Sequence, residues 1–412
     1  MGRKLSRGRA IMTAQSKRNG VEVADIFREY IGAYRDRYKM PVSHLKVAGA
    51  ILNCRTAYLG GHLERCDNCK AETIAYNSCR NRHCPKCQCL TKERWLEARR
   101  AELLPTRYFH PVFTVDHVLN PVILANKGKM LNILFKSVSE TLLTFGSNPD
   151  NGLGGQLGII ALLHSWDQKL LDHFHLHCLV PAGALCDGKR RFNTWDKDFL
   201  FPVKALSVVF REKYLGYFKA AYKQKELIFP GKTKQFGSAR GFKKLLARCY
   251  KKPWVVDIRK PIENPAYVLD YLGRYTHRVA ISNNRILSCE NGQVCFTYKN
   301  RATGKAEQER IAAVEFIRRF LLHVLPKRFM RIRYYGFLSN RYKRRNVKRC
   351  RKLLGQDEAL AEPAAESIRK VMLRLTGVDI TRCRRCKKGK LTLVSMIARG
   401  KTAGAFAILH PP

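Results

Sequence analysis

Three histidines alternate along one short stretch of the sequence. His173, His175 and His177 are separated by single apolar residues, in the order His-Phe-His-Leu-His-Cys-Leu-Val. Because successive side chains of a β-strand point to opposite faces, this spacing predicts a strand with all three imidazoles on one face and apolar residues on the other. Imidazoles two residues apart lie side by side, as two neighbouring ligands of one divalent cation do. A single histidine is more often an ordinary polar side chain, but three in alternation favour a metal site.

A second group consists of tyrosines spaced four residues apart, Tyr267, Tyr271 and Tyr275. On a helix this spacing puts the three hydroxyls on one stripe. Such an aromatic stripe is by itself more often a packing surface, but two features favour chemistry. Gly273 costs a helix about 1 kcal/mol relative to alanine, which suggests a close approach to the backbone there. The neighbouring side chains that could donate hydrogen bonds to phosphate are Arg274, His277 and Arg278.

The two groups together predict phosphoryl transfer on nucleic acid. A tyrosine oxygen that attacks a backbone phosphate forms a covalent phosphotyrosine, which conserves the bond energy for later rejoining. A divalent metal polarises the non-bridging phosphate oxygen and stabilises the leaving 3′ oxygen. Two tyrosines allow two successive transfers, and the chemistry needs no nucleotide cofactor.

Cysteines are concentrated near the N-terminus, with seven of the 15 in the 36 residues from Cys54 to Cys89. Two C-x2-C knuckles predict a tetrahedral zinc site made by Cys66, Cys69, Cys84 and Cys87. Four candidate ligands remain in this window, enough for a second zinc site: Cys54, His62, Cys79 and His83. A disulfide framework is the weaker alternative, because the number of cysteines is odd. A third knuckle at Cys383 and Cys386 has no obvious partner pair, so its metal binding stays open.

The net charge points to a polyanionic partner. The chain has 412 residues, 78 Lys plus Arg against 32 Asp plus Glu, and a formal charge of +46. Phosphates that it neutralises would release condensed counterions. Eight of the twelve residues 341–352 are basic, which favours phosphate contact over a merely solvated surface. The side chains expected to bind DNA are Arg274, Arg278, Arg341, Lys343, Arg344, Arg345, Lys348 and Arg349.

The pattern of elements predicts an α+β fold that positions these groups. Short strands alternate with helices after residue 111, and Glu290-Asn291-Gly292 is typical of a hairpin turn. We expect a basic tail at 1–20, a helical and zinc-binding domain at 21–104, a catalytic domain with an antiparallel or mixed sheet at 105–310, and a basic helical region at 311–412. No apolar run approaches the roughly 18 residues that a membrane span requires, so we expect a soluble protein.

These motifs resemble one family over nearly the whole chain, the two-tyrosine transposases of rolling-circle insertion sequences. Transposases of this family belong to the HUH endonuclease superfamily, which also contains plasmid replication initiators and relaxases. Phe113-Thr-Val-Asp116 is similar to the superfamily's first strand motif, His175-Leu-His177 to its metal-binding motif, and Tyr271 with Tyr275 to its two-tyrosine helix. The segments 54–62 and 76–88 resemble the family's zinc-binding region, and 331–340 its C-terminal signature.

The resemblance implies cleavage and rejoining of single-stranded DNA at insertion-sequence ends, which typically contain hairpins, through a 5′-phosphotyrosine intermediate. It also implies Mg²⁺ or Mn²⁺ at the histidines, Zn²⁺ in the N-terminal domain, and action at the nucleoid in the bacterial cytoplasm. A third metal ligand is expected, for which Gln168 is the candidate, because it lies seven residues before His175 on the strand expected to lead into it. Asp167 is a rival, because it stands where the family usually has glycine.

Three other functions stay open at this point. A non-enzymatic zinc-containing nucleic-acid binder would use the tyrosines as stacking platforms. A plasmid initiator or relaxase would have the same active-site residues, although the cysteine cluster favours the transposase. A metal hydrolase is the least favoured, because acidic ligands are scarce around the histidines.

Overall fold

The computed structural model describes residues 12–13, 20–100, 102–186, 190–264, 267–268, 273, 280–300, 302–356 and 366–400. The chain divides into two compact units, each assembled from separate segments. The first comprises Met1–Glu93, Val279–Leu321 and Ala364–Pro412, and the second comprises Arg94–Arg278 and Leu322–Pro363.

Both units combine helices with sheets whose strands pair antiparallel, except for the parallel pairing of β1 with β3. The strands are β1 Met12–Thr13, β2 Gly61–Cys66, β3 Glu72–Tyr76, β4 Tyr108–Phe109, β5 Pro111–Thr114, β6 Gly158–Trp166, β7 Asp172–Pro181, β8 Gly183–Cys186, β9 Arg191–Thr194, β10 Val256–Ile258, β11 Ile286–Glu290, β12 Gln293–Lys299, β13 Ala306–Ala312, β14 Ile332–Gly336 and β15 Leu391–Ile397. The helices are α1 Val23–Arg37, α2 Val42–Leu52, α3 Gln88–Arg100, α4 Asn120–Ala125, α5 Lys127–Ser147, α6 Val203–Lys223, α7 Ala239–Tyr250, α8 Ala313–Leu322, α9 Lys343–Leu353 and α10 Ile368–Thr376.

The second unit is built on a sheet with the strand order β10-β5-β7-β6-β14, to which β4 is added by pairing with β7. Its centre is the β6–β7 hairpin. The connecting turn is closed by Asp167, whose Oδ1 accepts hydrogen bonds from the backbone N–H groups of Lys169 at 2.9 Å and Leu171 at 2.8 Å. The register shifts once between Trp166 and His164, and beyond that shift His164 lies opposite His175 and Leu162 opposite His177.

One face of this sheet packs on the helices α5, α6 and α7. The alternation in β7 puts Phe174 and Leu176 on this face, where they join Phe113 of β5 and Leu163 of β6 in the main apolar core. The helices contribute large buried side chains such as Phe210 of α6. The apolar half of the histidine strand therefore anchors it in the core.

The opposite face of the sheet carries the histidines and a smaller apolar cluster. Ile160 and Leu162 of β6 and Leu179 of β7 belong to this cluster, together with Val347 of α9 and Val268. Since side chains two apart share a face of a strand, this cluster lies on the same face as His164, His175 and His177.

The first unit contains two further sheets. One has the order β1-β3-β2-β15 and the other the order β11-β12-β13. Helices α1 and α8 pack together through Phe27 and Phe320, whose ring centroids are 5.4 Å apart. The Tyr30 hydroxyl on α1 accepts a hydrogen bond from the Gly292 N–H in the β11–β12 turn at 3.2 Å. The N-terminal helices and the 286–312 sheet therefore belong to one unit.

The α+β fold class predicted from the sequence is confirmed, as is the hairpin at Asn291-Gly292. Both turn residues have positive φ, 50° and 71°, as a two-residue hairpin turn requires. The units differ from the contiguous segments expected from the sequence, since β11–β13 lie in the first unit and β14 with α9 in the second. The C-terminal region also contains the strands β14 and β15 besides its helices. Within the described residues, no helix combines the length and hydropathy needed to cross a membrane.

Candidate functional site

Three buried histidines converge on the central hairpin. His175 and His177 lie on β7, and His164 lies beside them on β6 because it pairs directly with His175. One ring nitrogen from each residue lies within 4.8 Å of those of the other two. The Nε2 atoms of His175 and His177 are 3.1 Å apart. Adjacent octahedral ligands at roughly 2.1 Å from a divalent ion are about 3 Å apart, so this spacing fits one shared cation.

Hydrogen bonds to the outer nitrogens fix how these rings are oriented. His175 Nδ1 lies 2.9 Å from the carbonyl oxygen of His173, to which it donates. His177 Nδ1 lies 2.9 Å from His110 Nε2, and these two rings are nearly parallel. Burial lowers the pKa of His110 to about 4, so it is neutral near pH 7. His175 and His177 therefore direct Nε2 towards each other, and the hydrogen bonds at Nδ1 orient the rings as such partners do for metal-ligating imidazoles.

The structure separates the residues that the sequence grouped around this site. His173 lies outside the three-histidine group, with its Nδ1 at 2.9 Å from His117 Nε2. Gln168 lies in the β6–β7 turn and not on a strand as expected, because β6 ends at Trp166. The Asp167 carboxylate closes this turn, which gives it a structural role. Sequence reasoning missed His164 and His110; the register of a β6–β7 hairpin was the signal for His164.

The tyrosine segment is described only in part. The predicted Tyr271, Tyr275, Arg274 and Arg278 lie outside the described residues. Tyr267 is helical and 65% exposed. Val268 is fully buried in the apolar cluster on the histidine face of the sheet. The start of the predicted tyrosine helix therefore packs on the face that carries the three imidazoles.

The cysteines form two groups of four among the described residues, but the predicted pairing of knuckles is wrong. Cys66 and Cys69 lie at the turn end of the β2–β3 hairpin, whereas Cys79, which groups with Cys84 and Cys87, follows the opposite end. Those ends are separated by roughly 16 Å, the length of a six-residue strand, so one ion could not bridge them. The first group is Cys54, Cys79, Cys84 and Cys87. The second is Cys66, Cys69, Cys383 and Cys386, which gives the C-terminal knuckle its partner.

His62 and His83, predicted as zinc ligands, belong to neither group. His62 lies on β2, and its Nε2 is 3.3 Å from a carboxylate oxygen of Glu64. Glu64 is two residues from His62 and shares its face of β2, whereas Cys66 lies two further residues along the strand, about 13 Å from His62.

The four thiols of the first group strongly influence one another. Sγ of Cys87 lies 3.5 Å from that of Cys54 and 3.6 Å from that of Cys79. Hydrogen bonds from the other thiols hold the pKa of Cys87 far below its ordinary value, and they raise that of Cys84 far above it. Thiols this close cannot all ionise without a cation between them. Four converging sulfurs are the donor set that a tetrahedral Zn²⁺ requires.

The basic run 341–352 forms most of α9 and the turn before it. Arg344, Arg345 and Lys348 are exposed, while Val347 packs into the apolar cluster of the histidine face. Lys343, predicted to contact DNA, is instead half-buried and pairs with Glu102 at 2.7 Å. The other predicted contacts in this run are Arg341, which is exposed, and Arg349, which is half-buried. The helix that packs on the histidine face through Val347 thus carries several exposed cations.

Two family matches cover most of the chain. Residues 158–346 match the Y2 transposase family, described as a putative transposase. Residues 26–115 match the transposase zinc-binding domain of IS91 type. The first match contains the three histidines and both predicted tyrosines, and the second contains the first cysteine group.

Curated relatives agree with these matches. The chain is 43% identical over 383 residues to the putative transposase y4qJ of Sinorhizobium fredii, which covers 92% of this chain and 96% of the relative. It is 28% identical over 298 residues to the transposase for insertion sequence element IS801 of Pseudomonas savastanoi pv. phaseolicola, which covers 71% of this chain and 69% of the relative. No solved structure matches significantly.

Proposed function

We propose a DNA-cleavage chemistry for this chain, which belongs to the insertion-sequence transposase family that joins an IS91-type zinc-binding domain to a Y2 transposase domain. The chain cuts and rejoins single-stranded DNA at the element ends through a 5′-phosphotyrosine intermediate. The observation that carries this proposal is the group of three buried imidazoles on the sheet face where the tyrosine segment begins to pack.

His164, His175 and His177 are the residues that would hold the catalytic cation. When bound, the cation withdraws charge from the scissile phosphate and from the departing 3′ oxygen. Three imidazoles are nitrogen donors, whereas Mg²⁺ prefers oxygen ligands. We therefore expect Mn²⁺ to support the reaction at lower concentration than Mg²⁺.

Tyr271 and Tyr275 supply the nucleophiles. The phenol oxygen of one of them bonds to the phosphorus while the bond from phosphorus to the 3′ oxygen breaks. The phenol proton passes to solvent, and the released 3′ oxygen takes up a proton. The 5′ phosphate stays on the tyrosine until a 3′ hydroxyl attacks it, which restores the phenol and joins the new strand. Four-residue spacing on a helix gives the second tyrosine access to the same face.

Arg344, Arg345 and Lys348 guide the DNA backbone. They are exposed on α9, which packs on the sheet face that carries the histidines. A single strand held there would neutralise these cations while presenting one phosphate to the imidazoles. The alternative of a non-enzymatic binder would use the same cations but would leave the DNA intact.

The direct test incubates the full chain with a single strand that carries the element end and a label at its 3′ end, with and without Mn²⁺. A labelled band that survives denaturing electrophoresis is expected with Mn²⁺ and not without it, because the cation stabilises the charge of the transition state. A mobility shift in native gels without a denaturation-resistant adduct would support the non-enzymatic binder and contradict cleavage.

The third metal ligand can be identified by comparing two neighbouring variants. His164→Ala is expected to weaken Mn²⁺ binding by at least about 100-fold, because it removes one of three converging imidazoles. Gln168→Ala should have a small effect, since Gln168 lies in the turn beyond the end of β6. Mn²⁺ titration followed by electron paramagnetic resonance measures both. If Gln168→Ala loses more Mn²⁺ affinity than His164→Ala, Gln168 and not His164 is the third metal ligand.

The role of α9 in DNA binding is tested by salt dependence. Replacing Arg344, Arg345 and Lys348 with alanine should reduce the slope of log affinity against log salt by up to about 2, at roughly 0.7 per phosphate contact on single strands. The matched control replaces three exposed cations of α7 on the other face of the sheet: Arg240, Lys243 and Lys244. If both triple variants change the slope equally, the cations of α9 contribute only net charge.

A further inference from the structure

We propose that the second cysteine group is a separate zinc site, which is completed only when the C-terminal knuckle binds to the β2–β3 hairpin. Its four thiols are those of Cys66, Cys69, Cys383 and Cys386. The zinc-binding domain match ends at residue 115 and so contains only the first two. The C-terminal pair is more than 300 residues away in sequence, yet both pairs lie in the first unit.

The sulfur atoms have the spacing of zinc ligands. Sγ of Cys66 lies 3.7 Å from that of Cys386, and Sγ of Cys69 lies 3.7 Å from that of Cys383. Sulfurs at about 2.3 Å from a tetrahedral zinc are roughly 3.7 to 3.8 Å apart. A disulfide would require about 2.05 Å, so the thiols are arranged as ligands and not as bonded pairs.

Both knuckles stabilise thiolates by the same backbone geometry. The Cys69 N–H donates to Cys66 Sγ at 3.4 Å, and the Gly389 N–H donates to Cys386 Sγ at 3.4 Å. A side chain at Gly389 would overlap the Cys66 sulfur. This position therefore needs glycine, because the two knuckles approach each other so closely there.

The two knuckles are also joined directly, and they carry compensating charge. The Asp67 N–H donates to the Lys390 carbonyl at 3.0 Å, and the Lys390 N–H donates to Asp67 Oδ1 at 2.8 Å. Four thiolates and one Zn²⁺ carry a net charge of −2. The exposed cations next to the C-terminal thiols, which lower the cost of that charge, are Arg382, Arg384, Arg385, Lys387, Lys388 and Lys390.

The site has a structural task, which is to hold β15 in the sheet. This strand pairs with β2 from Leu391 opposite Cys66 to Ile397 opposite Gly61. Its central side chains are exposed, including the apolar Leu393 and Met396. Little apolar surface of β15 is buried, so packing holds this strand only weakly. Zinc bound beside its first residue, by Cys66 opposite Leu391 and by the knuckle that precedes the strand, would anchor it.

The zinc content of the purified full chain tests the site. Elemental analysis against protein concentration should give two zinc ions per wild-type chain and one per Cys383→Ser/Cys386→Ser chain. The matched control Cys289→Ser, whose thiol lies outside both groups, should retain two. A wild-type ratio of one, or an unchanged ratio in the double variant, would overturn the proposal. So would disulfide bonds between these cysteines in the denatured, unreduced chain.

Hydrogen exchange tests the anchoring separately. The amides of Leu391–Ile397 should exchange faster in the double variant, while those of α1, in the same unit, should be unchanged. If the double variant does not fold, Gly389→Ala takes its place, and one of its two zinc ions should be removed by a chelator more than tenfold faster than in wild type. If the Gly389→Ala variant releases both zinc ions at the wild-type rates, the proposed site is contradicted.

Discussion

Replacing both Tyr271 and Tyr275 with phenylalanine is expected to abolish the covalent protein–DNA adduct. Each change removes the single oxygen that could bond to phosphorus and leaves the ring in place. Binding of single-stranded DNA should stay within about twofold of wild type, because phosphate contacts by Arg and Lys dominate the affinity. Denaturing gels measure the adduct, and fluorescence anisotropy measures the affinity.

Tyr267→Phe is the matched control for this experiment. Tyr267 lies four residues before Tyr271 in the sequence and is exposed, so the substitution changes the same group on the same segment. It should leave the adduct at the wild-type level. Single replacement of Tyr271 or of Tyr275 should reveal which tyrosine acts on which end. An adduct that persists in the double variant would exclude these tyrosines as the nucleophiles.

Replacing His175 and His177 together with alanine is the second change with a large expected effect. The adduct should form on the order of 10³-fold more slowly, because a bound cation contributes several kcal/mol to stabilising the charge of the transition state. Mn²⁺ binding should be lost in parallel. Single-turnover rates and Mn²⁺ titration give the two values independently.

His173→Ala is the control for the histidine pair. His173 lies on the same strand, two residues from His175, but it belongs outside the three-histidine group. Its backbone carbonyl, which accepts from His175, is kept in the variant. The rate should stay within about tenfold of wild type, because loss of a residue that only supports the metal ligands costs about 10- to 100-fold at most. A loss as large as that of the His175/His177 variant would mean that the strand, and not a metal, requires these histidines.

The sequence predicted the parts of the site that depend on local periodicity. Alternation placed His175 and His177 on one face of a strand and Leu176 in the core, and the structure agrees. His164 could not be found in this way, because its place beside His175 depends on the register of two strands. That register depends on the Asp167 turn and on a shift in pairing between Trp166 and His164, neither of which local periodicity includes.

Zinc ligands illustrate the same limit over a longer range. The knuckles themselves follow from the two-residue spacing, but their pairing follows from the hairpin between them. The β2–β3 hairpin puts the Cys66 knuckle at one end and Cys79, which groups with Cys84 and Cys87, at the other, so the two knuckles do not share an ion. In the structure Cys66 groups with Cys383 and Cys386, which are more than 300 residues away in sequence. No local sequence pattern predicts a contact over that distance. The segmented units have the same origin.

The covalent attachment site is the most direct test of the proposed chemistry. After reaction with the single-stranded element end and nuclease digestion, trypsin should separate the two candidates, because cleavage after Arg274 puts Tyr271 on the peptide 260–274 and Tyr275 on the peptide 275–278. Tandem mass spectrometry should find a nucleotide joined through its 5′ phosphate to one of these tyrosines. Cleaved DNA with no nucleotide on either tyrosine, or with one on another residue, would contradict the account.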